Sequence, residues 1–111
     1  WAVSFSSRLG SADLLSIETD AADICERTIN QAAADNIPEA RRIALTVKCV
    51  DVLSEDLDGL SRDARVPFTF ISSYEANVAI LRRFQDAGKL SPQQSEVLNR
   101  AETLVRELRQ R

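Results

Sequence analysis

"ICERTINQAAADNIPEARRIALTVKCV", residues 24–50, carries both cysteines of the chain, one near each end. Between them an alanine-rich run leads into Asn36, Ile37 and Pro38, which read as a turn between two helices. Cys25 and Cys49 lie equally far from Ile37 along the chain. In an antiparallel helical hairpin, rising about 1.5 Å per residue, both therefore sit at one height, roughly 18 Å from the turn. Helix axes about 8–10 Å apart bring facing Cα atoms within disulfide range. A bridge would close a loop of about 25 residues and contribute about 3.5 kcal/mol through chain entropy. The alternative is two reduced cysteines packed as small hydrophobes. Equal height favours the bridge, and a bridge implies an exported, periplasmic or organelle-lumenal protein.

Outward from this hairpin the punctuation is helical throughout. "KLSPQQSEVLNRAETLVRELRQR" opens on Ser91 as N-cap, with Pro92 at the first helical position and Gln94 as capping-box partner. Val97, Leu98, Ala101, Leu104, Val105 and Leu108 form its apolar stripe, and Glu96–Arg100 and Glu102–Arg106 are expected as i,i+4 pairs on the wet face. "VPFTFISSYEANVAILRRFQDAGK" starts at Pro67 and stops at Gly88, with Phe70, Ile71, Tyr74, Val78, Leu81 and Phe84 inward. The first helix turns Leu14, Ile17, Ala21, Ile24, Cys25, Thr28 and Ile29 inward. The second carries a main stripe of Ile43, Val47, Val50, Leu53, Leu57 and Leu60. It has a further one of Leu45, Cys49 and Val52, so it is either more buried than the others or faces an additional neighbour.

These elements predict an all-α, up-down-up-down four-helix bundle over residues 11–111, with helices at about 11–35, 38–60, 67–87 and 91–110. Residues 1–10 precede it as a short extended N-terminal arm in which Trp1, Val3 and Phe5 alternate with small residues. A chain of 111 residues suffices for one domain with a core of its own. No apolar run approaches the ~20 residues of a membrane span, and a net charge of -3 gives no electrostatic reason to expect nucleic acid. The chain opens on Trp1 and contains no Met, as a processed or trimmed protein would.

The catalytic inventory is thin. There is no His, which removes the commonest general base and the Glu-x-x-His pairs of di-iron bundles. "SEDLDGLSRDAR" brushes a calcium loop, but Ser54 and Arg65 occupy positions where carboxylates belong. Asp51, Glu55 and Asp58 share a helix face and read as a solvated acidic surface. Neither cysteine has a His to activate it, and no phosphate loop or nucleophile elbow is present. The expectation is a non-enzyme without cofactor or metal.

One charge feature stands out. Arg41 and Arg42 open the second helix while Arg82, Arg83 and Lys89 close the third, so the predicted topology gathers all five at one end. Cations at a helix N-terminus oppose its dipole by about 0.3–1 kcal/mol each. Asp35, Glu39 and Asp86 are near enough to pair with them; the other reading is a docking patch for an acidic partner.

A proline-started second helix (Pro38), "PFTF" with Phe68 and Thr69 opening a third, and "KLSPQQ" with Leu90 and Pro92 opening a fourth together resemble the small lumenal photosystem II bundle proteins. The resemblance runs from about Ser11 to Arg111 and implies a non-enzymatic accessory or assembly subunit docking on a membrane complex from the lumenal side. The function expected is thus protein–protein contact, with the Arg41, Arg42, Arg82, Arg83 and Lys89 end and the arm of Trp1, Val3 and Phe5 as contact surfaces. Two alternatives remain: a bundle holding a small apolar ligand or pigment among Phe68, Phe70, Tyr74 and Phe84, and a cytosolic adaptor module.

Overall fold

The computed structural model describes residues 11–59 and 65–110, with side chains of the first helix from Asp20 onward. The helices are α1 (Ser11–Ala34), α2 (Glu39–Asp58), α3 (Phe68–Asp86) and α4 (Pro92–Gln110), an all-α bundle with boundaries within two residues of those the sequence predicts. The arm with Trp1, Val3 and Phe5 lies outside the described residues, as do the side chains of Leu14 and Ile17 and the whole of Leu60.

Two of the connections close in the same way. Asn36 takes a left-handed conformation (φ 57°) after α1, and the amides of Asn36 and Ile37 donate to the carbonyls of Ala33 and Ala32. Gly88 (φ 72°) repeats this after α3, where the amides of Gly88 and Lys89 reach Gln85 and Phe84. Both are Schellman closures, which satisfy the last carbonyls of a helix. At α4 the expected capping box forms: the Ser91 amide donates to Gln94 Oε1 at 2.9 Å, and the Gln94 amide to Ser91 Oγ at 3.2 Å. Pro38 and Pro67 act as the N-caps of α2 and α3 and offer no side-chain hydrogen bond there.

The bundle runs up-down-up-down but is a rhombus, not a square. α2 and α3 pair antiparallel across its short diagonal; α1 packs on both from one side and α4 on both from the other, leaving α1 and α4 scarcely in touch. Consequently α1 lies against α3 as well as against its hairpin partner α2. Small residues allow this approach: Ala22 is fully buried, and Asn77 of α3 donates to the Ala22 carbonyl at 3.4 Å and to that of Ser73 at 2.8 Å.

The core is built mainly from α2, α3 and α4: Val50, Leu53 and Leu57, then Phe70, Tyr74, Val78 and Leu81, then Leu98, Ala101 and Leu108. Each large side chain so buried is worth about 1.5–3 kcal/mol. Three polar residues outside the predicted apolar stripes are buried with them, Thr46, Ser54 and Asn77. Thr46 and Ser54 donate to the carbonyls four residues back, and Ser54 Oγ also meets Tyr74 Oη at 2.6 Å. Since the Ser54 hydroxyl proton goes to Val50, Tyr74 is the donor to Ser54.

Cys25 and Cys49 are joined by a disulfide, their Cα atoms 6.1 Å apart, so the equal-height reading of the hairpin holds. Several inward positions are corrected. Ile24 is 55% exposed and Thr28 is also outside, because the buried line of α1 runs through Ala22, Cys25 and Ile29. Ile24, two residues from Ala22, lies about 200° round the helix. On α2, Leu45 and Cys49 are half-buried but Val52 is 48% exposed. The intrahelical pairs expected on α4 do not form. Arg100 instead crosses to α2, 2.9 Å from Glu55, 3.9 Å from Asp51 and bonded to Asp58; Glu102 takes Arg82 at 2.5 Å. Asp51, Glu55 and Asp58 are thus a solvated acidic face, as the sequence suggests, and also the counterions of Arg100; the cluster raises the Arg100 pKa chiefly through the hydrogen bonds to Asp58 and Glu55.

Two predictions follow from this packing. Replacing Cys25 and Cys49 together by Ala should lower the unfolding free energy by about 3.5 kcal/mol, read by urea denaturation, with the helical circular dichroism retained; unchanged stability would show that the bridge constrains nothing. Burial pushes the Tyr74 hydroxyl up to about 12. The folded state then holds this proton more tightly than the unfolded chain, so its contribution is complete below pH 10 and lost as pH rises towards 12. Tyr74 is the sole tyrosine, so phenolate absorbance reads it alone. The expected midpoint is near 12, or coincident with alkaline unfolding; a midpoint near 10 in folded protein would contradict the buried Tyr74–Ser54 pair.

Candidate functional site

The antiparallel α2–α3 pairing puts the start of α2 beside the end of α3, as Lys89 Nζ to Glu39 Oε2 at 2.8 Å shows directly. The five cations singled out from the sequence thus share one end of the bundle, but they divide into two groups. Arg82 is clamped by Glu102 through three short hydrogen bonds of 2.5–2.9 Å, with Asp86 at 3.8 Å. This bonding raises its pKa, the hydrogen bond to Glu102 first. Lys89 is committed to Glu39, and its hydrogen bond, with Arg42 adding in the same direction, holds the Glu39 carboxyl below its usual range. These two cations are paired within the fold.

Arg41, Arg42 and Arg83 form no ion pair among the described residues. Asp35, which the sequence offered as a partner, accepts instead from Gln31 at 2.9 Å. Arg42 braces the α1–α2 turn, its Nε donating to the Ile37 carbonyl at 3.0 Å. Arg83, in the last turn of α3, suits the dipole there, whereas Arg41 and Arg42 oppose that of α2. The α2 N-terminus also lacks a side-chain cap, so its partial positive charge adds to theirs.

Arg42 and Arg83 line one cleft. Ile29, Asn30 and Ala33 of α1 form one wall, Ile80, Arg83 and Phe84 of α3 the other, and Arg42 of α2 closes it; its volume is about 240 Å³. Ile29 is buried while Ile80 and Phe84 are half-buried, giving an apolar floor open to solvent. The sequence marked Arg42, Arg83, Ile29 and Phe84 separately but not their meeting. That depends on the parallel contact of α1 with α3, which chain order does not reveal. Ile80, four residues before Phe84, was the available signal.

The aromatic residues do not line one common cavity. Phe70 and Tyr74 are fully buried and stacked on each other, ring centroids 5.9 Å apart. Phe68 is 80% exposed at the other end of α3, and Phe84 alone reaches the cleft. At about 240 Å³ the cleft is smaller than the ~300–1,000 Å³ of typical small-molecule sites. A second, shallower groove of about 570 Å³ follows the outer face of α1 past Ile24, Thr28 and Gln31 to Ile37. No described helix is long and apolar enough to cross a membrane. No protein-family model, curated protein or solved structure matches the chain.

The placement of Arg41 against the α2 dipole generates a stability test. Arg41→Glu should raise the melting temperature by about 2–8 °C at low ionic strength, an effect that added salt removes. A fall in melting temperature would show that Arg41 has a structural partner.

Proposed function

We propose that this protein is a non-catalytic docking subunit that binds a protein partner through the Arg41, Arg42 and Arg83 end of the bundle. The observation that carries this reading is the division of the cations. Arg82 and Lys89 are ion-paired to Glu102 and Glu39, while three arginines at the same end form no ion pair among the described residues and stand beside a helix N-terminus without a side-chain cap. Arg41 and Arg42 work against the dipole of their own helix, a cost that contact with an acidic partner would offset. The Cys25–Cys49 bridge suits an oxidising compartment, outside the cell or in an organelle lumen. The likeness to photosystem II bundle subunits supplies one candidate class of host complex.

Charge reversal separates this role from a structural one. The double variant Arg41→Glu, Arg83→Glu should keep its melting within a few degrees of the original chain, because neither side chain is bonded to another among the described residues. A complex recovered from the native source by the original chain should lose the protein at least ten-fold on this change, whereas Arg106→Glu should leave it in place. Equal recovery with both variants would remove the arginine end from the function.

A further inference from the structure

Resting on the docking reading, we infer that the cleft of Ile29, Ile80 and Phe84 takes one apolar side chain of a partner segment whose flanking residues are acidic. The cleft has the three features that such a segment needs. Its floor is hydrocarbon from two helices that pack in parallel, and its volume of about 240 Å³ suits one large side chain, not an extended ligand. Its two guanidiniums come from different helices, Arg42 from α2 and Arg83 from α3, so positive charge stands at more than one side of the floor. Asn30 adds an amide to the rim, able to donate to and accept from a passing backbone.

Charge selects the occupant. Neither guanidinium forms an ion pair among the described residues, and Arg42 still has Nη donors beyond the Nε that holds Ile37. A second copy of this chain is a poor candidate. Of its large apolar side chains exposed among the described residues, Phe68 has no carboxylate adjacent in sequence, and the carboxylates nearest Ile24, Ile37 and Val52 already have partners: Asp23 pairs with Arg27, Asp35 accepts from Gln31, Glu39 holds Lys89 and Asp51 faces Arg100. A segment of the pattern acidic–apolar–acidic satisfies floor and rim together. Its apolar residue would be the anchor and its carboxylates the steering and orienting groups.

The probe is a capped nonapeptide of alternating Asp and Glu with a single central Phe, compared with the same peptide carrying central Ala. Both are titrated into the full chain and followed by amide and methyl chemical shifts. The Phe peptide should move Ile29, Ile80 and their neighbours and bind roughly ten-fold or more tightly than the Ala peptide, the effect of burying one large side chain. Ala33→Leu, which fills the cleft from an exposed helical position, should abolish that difference and leave the residual ionic binding. If both peptides bind equally and Ala33→Leu changes nothing, the anchor cleft is wrong. Docking through the arginines survives that result provided Arg41→Glu, Arg83→Glu still weakens binding. If neither peptide shifts the cleft, or if vesicles of anionic lipid bind through the same arginines while the peptides do not, the peptide-docking inference is overturned. Loss of the native complex in the preceding experiment is read independently of all these outcomes.

Discussion

The antiparallel seam between α2 and α3 is the constraint on which the remaining structure depends. Tyr74 is fully buried there, and a buried phenol must find an acceptor; Ser54, across the seam at 2.6 Å, supplies it. That contact, with Val50, Leu53, Phe70 and Leu81 around it, fixes which residue of α2 stands beside which residue of α3. Followed to the end of the seam, the same register brings Glu39 to Lys89, and with them Arg42 to the neighbourhood of Arg83. A slip by one turn would break the buried hydrogen bond and scatter the arginines. The polar pair in the core and the charge at the surface are consequences of one alignment.

The flanking helices are attached by different means. α4 lies against the seam through Leu98, Ala101 and Leu108 and is tied by ionic contacts on both sides, Arg100 to α2 and Glu102 and Arg109 to α3. Exposed pairs of this kind add little stability individually, but they set orientation. α1 approaches through small residues and is held covalently at Cys25 and sterically at Ala22. Asn77 Oδ1, buried beside it, has no hydrogen-bond partner among the described residues, a cost of about 1–3 kcal/mol that the α1–α3 contact must overcome. The cleft lies at this less apolar junction. Where Ala33 and Asn30 face Ile80 and Arg83, the side chains are too short or too polar to fill the space between the helices.

Much of this architecture was legible in the chain because it rests on local chemistry. Asn36, Gly88, Pro67 and the Ser91–Gln94 pair mark helix ends by backbone preferences that tertiary structure did not override. The two cysteines reported their own pairing through equal distance from a turn. What the sequence concealed was lateral. A helical stripe says which residues lie on one side, but not which neighbour they meet, so Ile24, expected inward, is exposed, as is Val52 of the second stripe on α2. The i,i+4 rule predicted that Glu96 would hold Arg100, yet three carboxylates on α2 were better placed to receive a guanidinium pointing across the groove. For the candidate site, the grouping of the arginines followed from topology alone, while their division into paired and unpaired required the positions of Glu102 and Glu39.

The claim that the cleft end of the bundle is its working surface is tested most directly by site-specific photo-cross-linking in the native source. A photoreactive residue at Ala33, on the cleft wall, is compared with one at Thr103, an exposed position on α4. The account predicts a single discrete cross-linked partner from Ala33, lost when Arg41 and Arg83 are reversed in charge, and none from Thr103. A partner captured from Thr103 and not from Ala33 would contradict it and move the working surface to the other side of the bundle.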